Sequence, residues 1–335
     1  MFQSLWSSLS SVQAGLFVFV FGITLVLLIN RVTTHLSYRR ALNRIGASKA
    51  SEVQVPPVLP YTIPWLGLAI PFTSTVPGKF WRGLDIQLKG SNAKACTVIL
   101  AGIPTHLLLS GKAIQSLFRS RKSQADREAL TEQTVVGVFD CTKDDYKRLY
   151  HQDEAAGGGP GEAKYSQDVL HGKYLLSNDA VNALTSQFMR RWQKRLDQDT
   201  SVTTGERREL DLVAWVQEHM FVASTESILG SRILEEIPDL MPRFWYFDQT
   251  FLSFLYGMPR WMKRKEYDHR DHLIADMERW LEKMIQEAGM PDERTLPDWT
   301  ECFGSKITQA RTRLFEYSGI THRGIASLHL GFLFG

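Results

Sequence analysis

The sequence predicts a mainly α protein with a small β region (α+β), in which an N-terminal transmembrane helix precedes the folded body. Three observations lead to this fold class. Residues 11–30 carry no charge, residues 97–109 contain two short β-type runs around a turn, and apolar residues recur every three or four positions from about Asp179 onward. Apolar residues make up 44% of the 335 residues and charged residues 22%, which excludes wholesale disorder.

The first 30 residues predict a membrane anchor, with residues 1–10 on the luminal side and the anchor helix over 11–30. A cleaved signal peptide is the alternative, but it requires a basic start, and residues 1–30 contain no Lys or Arg. Positive charges flank the cytoplasmic end of such helices, so the rest of the chain is expected in the cytosol. The basic residues that follow the helix are Arg31, Arg39, Arg40, Arg44 and Lys49.

The charge and the cysteine content exclude several classes of partner and site. The 39 Lys and Arg against 36 Asp and Glu give a net charge of +3, and the basic excess lies in the first 50 residues. No nucleic-acid-binding surface is expected from such a local excess. The three cysteines (Cys96, Cys141 and Cys302) form no CxxC pair, so a cysteine-rich zinc site or a disulfide framework is not expected.

A basic flank and a proline-rich connector occupy residues 31–72, before the body at 73–335. The connector is interpreted either as a linker or as a hinge that holds the body against the membrane. A β-hairpin with its turn at 102–104 and a helix over 112–121 are predicted next. Residues 130–170 show no periodicity, and the GGGPG stretch at 157–161 predicts a loop that fits no phosphate-binding motif.

The remaining chain is predicted to be helical because its apolar residues follow helical spacing. Gly230, Gly289 and Gly319 are expected to end three of these helices, and Thr321 to cap the last one. The periodic segments are 181–192, 212–223, 273–284 and 307–317.

Self-contained catalytic motifs are absent from the sequence: it contains no HExxH, GxSxG or Walker A pattern. His269 and His272 could present two metal ligands on one helix face, but a charged, solvated face is the preferred interpretation. The cluster Arg190, Arg191, Lys194 and Arg195 could bind an acidic partner, although an ordinary exposed face is again preferred. We therefore name no catalytic, cofactor-binding or metal-binding residue.

The segment 244–261 is unusually aromatic, with eight aromatic residues among 18. Core packing explains several of them, yet a pocket for a lipophilic molecule or a surface in contact with a membrane also requires such walls. Both interpretations stay open from the composition alone. The aromatic residues are Phe244, Trp245, Tyr246, Phe247, Phe251, Phe254, Tyr256 and Trp261.

Five segments, in order, resemble the N-terminal portion of microsomal cytochrome P450 enzymes of a fungal type. PPVLPYTIPWLG (56–67) is similar to their proline-rich hinge, and TVILAGIPTHLLLSGKAIQSLF (97–118) to their first hairpin and helix. LDLVAWVQEHMFVASTESILGSRI (210–233) resembles the E-helix region and FWYFDQTFLSFLYGMPRWM (244–262) the F–G region. GITHRGIASLHLGFLFG (319–335) resembles the start of the central I helix.

The resemblance implies a haem-thiolate monooxygenase, bound to the endoplasmic reticulum, that oxidises a lipophilic small molecule. The partners it implies are the membrane bilayer and NADPH–cytochrome P450 reductase, and in fungi such enzymes often act in secondary-metabolite biosynthesis. The substrate-pocket residues that it implies are Phe247, Phe251, Phe254 and Tyr256, with Val135, Val136 and Phe139 as further candidates.

The departures from the family pattern concern the haem itself. The Phe-x-x-Gly-x-x-x-Cys-x-Gly loop and the Glu-x-x-Arg pair are absent, and Trp192 and Arg195 lack the Trp-x-x-x-Arg spacing. The sequence is therefore interpreted as an incomplete P450-like fold, truncated within the I helix before the haem-binding cysteine. The alternative is a non-catalytic, membrane-anchored remnant or interaction module. A hydrolase or transferase of another family has little support.

Overall fold

The computed structural model describes residues 11–47, 55–73, 78–89, 93–119, 127–150, 167–199 and 209–334. The predicted luminal residues 1–10 and the glycine-rich stretch 157–161 lie outside these ranges. The chain divides into two compact units. The first comprises Met1–Asp126 with Tyr256–Met258, and the second comprises Arg127–Leu255 with Pro259–Gly335. The fold is mainly helical with two small hairpins, which confirms the predicted fold class.

The first unit begins with helix α1, Ser11–Ala47, which is long and apolar enough to cross a membrane. The sequence predicted a boundary at residue 30, but the helix continues through the basic flank. Residues 31–45 contain no Pro or Gly, so nothing in this stretch interrupts the backbone hydrogen bonds. The apolar residues of α1, such as Phe17, Phe19 and Leu28, are exposed.

The proline-rich connector packs along a β-hairpin and contacts α1. Strands β1, Ala95–Leu100, and β2, Ile103–Leu108, are antiparallel, and Leu59 N–H donates to the Thr97 carbonyl at 2.8 Å. Arg31 of α1 donates to the Pro60 carbonyl at 2.7 Å. Because these contacts occupy backbone groups of the connector, it is a packed element of this unit. Three short helices complete the unit: α2, Ala69–Phe72; α3, Lys79–Leu88; and α4, Gly111–Arg119.

The second unit holds ten α-helices among its described residues. The first five are α5, Arg127–Glu132; α6, Lys143–Tyr150; α7, Gln167–Tyr174; α8, Asn178–Gln198; and α9, Leu212–Leu229. The others are α10, Arg232–Glu236; α11, Leu240–Leu255; α12, Arg264–Ala288; α13, Lys306–Tyr317; and α14, His322–Phe334. A π-helical segment, Gln133–Val138, continues α5, and a short hairpin joins β3, Trp299–Thr300, to β4, Gly304–Ser305.

The helix ends agree with the signals in the sequence. Gly230 and Gly289 follow α9 and α12 with positive φ angles of 94° and 74°, which side chains rarely adopt. Gly324 N–H donates to Thr321 Oγ1 at 3.0 Å, so Thr321 caps α14 as expected. Residues 130–170 were expected to be irregular, yet α5, the π-helical segment, α6 and the start of α7 lie there. Each is too short to show a helical period in the sequence.

The core of this unit lies between α12, α13 and α14. Trp280, Phe315 and Ile325 from these helices are almost fully buried. One continuous apolar cluster extends from them to α11 and the π-helical segment. This buried core therefore supports the end of α14 and the aromatic residues of α11.

Candidate functional site

The π-helical segment, α11 and α14 bring a group of aromatic rings together around Phe334. The Phe334 ring centroid lies 6.0 Å from Phe139, 6.1 Å from Phe244, 5.8 Å from Phe247 and 5.1 Å from Phe251. These separations lie in the range of favourable edge-to-face and tilted ring contacts. We call this group, with the valines of the π-helical segment and Phe254, the apolar site.

The structure gathers six of the seven predicted pocket residues in one apolar cluster. They are Val135, Val136, Phe139, Phe247, Phe251 and Phe254. The seventh, Tyr256, belongs to the first unit, where its ring packs edge-to-face on Phe72 at 5.1 Å and its hydroxyl hydrogen-bonds with Thr105. Tyr256 is therefore not grouped with the other six.

Burial separates two roles within the aromatic run. Phe247 and Phe254 are 0% and 2% exposed, so they belong to the core. Phe251, Val136 and Phe334 are only partly buried, so they form the partly exposed side of the apolar site. Trp261, at the end of the same run, is 79% exposed. The run therefore contains core residues, lining residues and a surface residue.

The wide turn of the π-helical segment places Phe139 against α14. Phe139 N–H donates to the Thr134 carbonyl, five residues back, at 3.1 Å. Gly331 of α14 faces this ring, because a Cβ at residue 331 would lie 3.2 Å from two Phe139 ring carbons. The missing side chain at Gly331 thus leaves the space that the Phe139 ring uses.

A network of charges ties the π-helical segment to α12 and α14. Arg270 of α12 is 3% exposed and donates to the Gly137 carbonyl at 3.0 Å and to Asp140 at 2.8 Å. Asp140 also accepts from Arg323 of α14 at 2.8 Å. Burial raises the pKa of Asp271, but hydrogen bonds from Arg270 and Arg260 outweigh it and leave that pKa below its ordinary value.

A buried carboxylate fixes the start of α14. Asp145 of α6 is 1% exposed and accepts from Thr321 N–H at 3.0 Å and from Thr321 Oγ1 at 2.7 Å. A carboxylate at a helix N-terminus satisfies free backbone donors and interacts favourably with the helix dipole. The Asp145 contact therefore orients the helix whose other end carries Phe334.

The cysteines of this chain do not fit the thiolate that a P450 haem requires. A ligand thiolate needs a lowered pKa, whereas burial raises the pKa of Cys96 to about 11 and that of Cys141 to about 12. Asp145 and Asp140 raise the Cys141 pKa further. Burial also raises the pKa of Cys302. In this structure, burial therefore favours the protonated thiol at all three cysteines.

In each of the two other candidate clusters, one residue is packed against its neighbours. His269 Nε2 lies 2.9 Å from the Arg243 carbonyl and its ring packs on Tyr246, while His272 is exposed. No group of three metal-ligating side chains occurs among the described residues. The Arg191 guanidinium stacks over the Trp299 ring at 3.9 Å, so this arginine is packed and does not lie on a free charged face.

The sequence analysis did not identify Phe334, Gly331, Asp140 or Arg270 as parts of the site. The apolar spacing of α14 was visible, but which of its residues meet α11 depends on how the helices pack. Asp140 and Arg270 are 130 residues apart and their pairing leaves no local pattern. The one available signal was that Asp140 directly follows Phe139, a predicted pocket residue.

Comparisons with curated proteins found three fungal relatives. Cytochrome P450 monooxygenase efuG of Hormonema carpetanum is 24% identical over 306 residues, which are 90% of this chain and 52% of that protein. Cytochrome P450 monooxygenase fsoE of Humicola fuscoatra is 19% identical over 304 residues, covering 85% and 48%. Cytochrome P450 monooxygenase calL of Penicillium decumbens is 24% identical over 152 residues, covering 45% and 28%.

No family model matches the sequence. The chain spans about half the length of efuG and fsoE. All three relatives carry the same family name, and the fold is mainly α with a small β region, as the resemblance implied. The chain is thus distantly similar to three fungal cytochrome P450 monooxygenases.

Proposed function

We propose that this chain forms the membrane-anchored, ligand-binding part of a haem-thiolate monooxygenase that oxidises a lipophilic small molecule. The observation that carries the proposal is the apolar site, in which Phe251, Val136 and Phe334 are partly exposed and Phe247 and Phe254 support them from the core. Named monooxygenases that align with most of the chain support the reaction class.

The chemistry of the lining favours an uncharged, lipophilic ligand. Aromatic and aliphatic side chains hold a ligand by removing apolar surface from water, at roughly 25 cal/mol per Å² of buried area. A charged group placed against these rings would lose its hydration without a compensating partner. In fungi, a lipophilic intermediate of secondary metabolism fits this description.

The cofactor and the redox partner belong to the same proposal. A haem with a cysteine thiolate supplies oxygen activation when it is bound. Cys96, Cys141 and Cys302 do not fit that ligand, because burial favours their protonated thiols. We propose NADPH–cytochrome P450 reductase as electron donor. With α1 in the membrane of the endoplasmic reticulum, the body would lie in the cytosol.

Photolabelling with benzophenone, a neutral lipophile, tests ligand binding by the chain itself. The protein in detergent micelles is irradiated with the probe, and labelled peptides are mapped by mass spectrometry. The lipophilic probe will label the membrane helix, and in addition we expect labelling within 133–139, 244–255 and 325–334. Phe251→Asp should reduce that labelling at least about tenfold, because it places a charge in the apolar lining.

The matched control is Trp261→Asp, which makes the same change at an exposed position of the same aromatic run. This variant should leave the labelling pattern unchanged. Circular dichroism establishes that both variants are folded. Labelling confined to α1 and to surface residues such as Trp261 would overturn the proposed ligand site. The non-catalytic alternative, an interaction module, would then be the better account.

A further inference from the structure

We propose that Asp140 and Arg270 are positioning residues of the apolar site. They hold the π-helical segment, and with it the Phe139 ring, in the place that determines which lipophilic molecules the site accepts. This inference rests on the proposed function, because it concerns the shape of the same site. Neither of these two charged residues is expected to contact the ligand itself.

The backbone at Asp140 has a conformation that few residues other than glycine, asparagine and aspartate adopt. Asp140 has a φ of 58°, in the left-handed region that residues other than glycine rarely adopt. This conformation ends the π-helical segment and lets Cys141 N–H return to the Val135 carbonyl at 3.1 Å. Strained backbone of this kind persists where surrounding contacts fix it. At Asp140 the contacts are ion pairs through both carboxylate oxygens.

Arg270 satisfies the end of the π-helical segment from the side of α12. The last carbonyls of a helix have no partner within the helix, and Arg270 Nη1 donates to one of them, that of Gly137, at 3.0 Å. The guanidinium also lies over the Phe254 and Tyr267 rings, 5.1 Å from each centroid. Arg270 thus contacts both the backbone that precedes Phe139 and the rings of Phe254 and Tyr267.

Arg323 connects the same carboxylate to α14. Its guanidinium lies 2.8 Å from Asp140 Oδ2, whereas Arg270 binds Oδ1 at 2.8 Å. Asp140 therefore bridges α12 and α14. The neighbouring residue, Phe139, packs against Phe247, Phe334 and Gly331. A shift of Asp140 moves the Phe139 ring relative to the lining residue Phe334.

The variant Asp140→Asn tests this role. Asparagine has the same size and tolerates a left-handed φ, so the change removes the charge and retains the shape. The matched control is Asp298→Asn, because Asp298 forms an ion pair with Lys306 at 2.6 Å but is itself largely exposed. Arg270→Lys is a second variant, since lysine keeps the charge but loses the forked geometry that binds two partners.

The first readout is hydrogen–deuterium exchange of the purified chain. Amides of Phe139 and Cys141 should exchange at least about tenfold faster in Asp140→Asn and in Arg270→Lys, because breaking the ion pair of the buried Arg270 with the partly exposed Asp140 frees the segment that the pair holds. Peptides of α13 should be unchanged, and Asp298→Asn should match the wild type. Unchanged exchange at 133–141 in both site variants would overturn the proposed positioning.

The second readout separates positioning from stability alone. In the folded fraction of Asp140→Asn, the ratio of benzophenone label on peptide 133–139 to label on peptide 325–334 should change at least about threefold. A residue that only stabilises the fold would lower the unfolding temperature and leave this ratio unchanged, which would refute the inference. If the wild-type chain takes no label at the apolar site, the proposed function fails. The exchange experiment then still decides whether Asp140 and Arg270 hold the π-helical segment in place.

Discussion

Replacing Gly324 with alanine tests how the start of α14 is held, and the structure gives the size of the effect. A Cβ at residue 324 would lie 2.6 Å from Asp145 Oδ2 and 2.8 Å from the Ile320 Cγ2 atom. Neither neighbour has free space, because Asp145 is 1% exposed and Ile320 is 3% exposed. The Asp145 carboxylate must move and give up its bonds to Thr321.

The expected cost follows from these two contacts. Disrupting the hydrogen bonds of a buried carboxylate costs about 3–5 kcal/mol, and alanine in a helix recovers about 1 kcal/mol relative to glycine. Gly324→Ala should therefore lower the free energy of unfolding by about 2–4 kcal/mol. For a unit of this size the apparent Tm should fall by roughly 5–15 °C.

Differential scanning calorimetry of the protein in detergent, at one scan rate, measures this change. The matched control is Gly172→Ala in α7, where an added Cβ meets nothing within 4 Å. That variant should be neutral or more stable by up to about 1 kcal/mol. If Gly324→Ala unfolded at the same temperature as Gly172→Ala, the argument about Asp145 and α14 would be refuted.

Three further predictions concern the core, pH and the first unit. Phe247→Ala should lower the free energy of unfolding, measured by chemical denaturation, by about 3–5 kcal/mol, because Phe247 is fully buried. The control Phe118→Ala should change it by less than about 0.5 kcal/mol, because Phe118 is 84% exposed. Burial lowers the pKa of His329 to about 3, so the unfolded chain takes up a proton below pH about 6.5 that the folded chain does not. Stability should therefore fall by several kcal/mol between pH 6.5 and 3, and a flat profile of unfolding free energy against pH would contradict this. Gly67→Ala should open the connector from β1, because its Cβ would lie 2.1 Å from the Ile99 carbonyl oxygen at a φ of +61°; limited proteolysis of residues 55–73 measures the opening.

Helical periodicity predicted the long helices of the second unit because one face of each is buried. Leu273, Met277, Trp280, Leu281 and Met284 all lie in the core, as their spacing indicated. The same reasoning missed α6 and the π-helical segment. Elements of six to eight residues show too little of a period, and tertiary contacts such as those of Arg270 define them.

The apolar site was predictable in its composition and not in its arrangement. Aromatic content singled out Phe247, Phe251 and Phe254, which the structure places together. Only packing shows which residues are core and which are lining, and that Tyr256 lies in the other unit. Phe334 completes the group because α14 ends beside α11, and no local sequence pattern contains a contact between residues as distant as Phe251 and Phe334.

The most direct test of the account is a titration with benzophenone of the protein translated from the complete transcript, followed in the haem absorption spectrum. We expect a thiolate-type Soret band in the reduced carbon-monoxide complex and a saturable spectral shift when benzophenone binds. Phe251→Asp should keep the band and lose the shift, whereas Trp261→Asp should keep both. A translation product without a Soret band would contradict the monooxygenase assignment. An equal shift in Phe251→Asp would contradict the placement of the ligand.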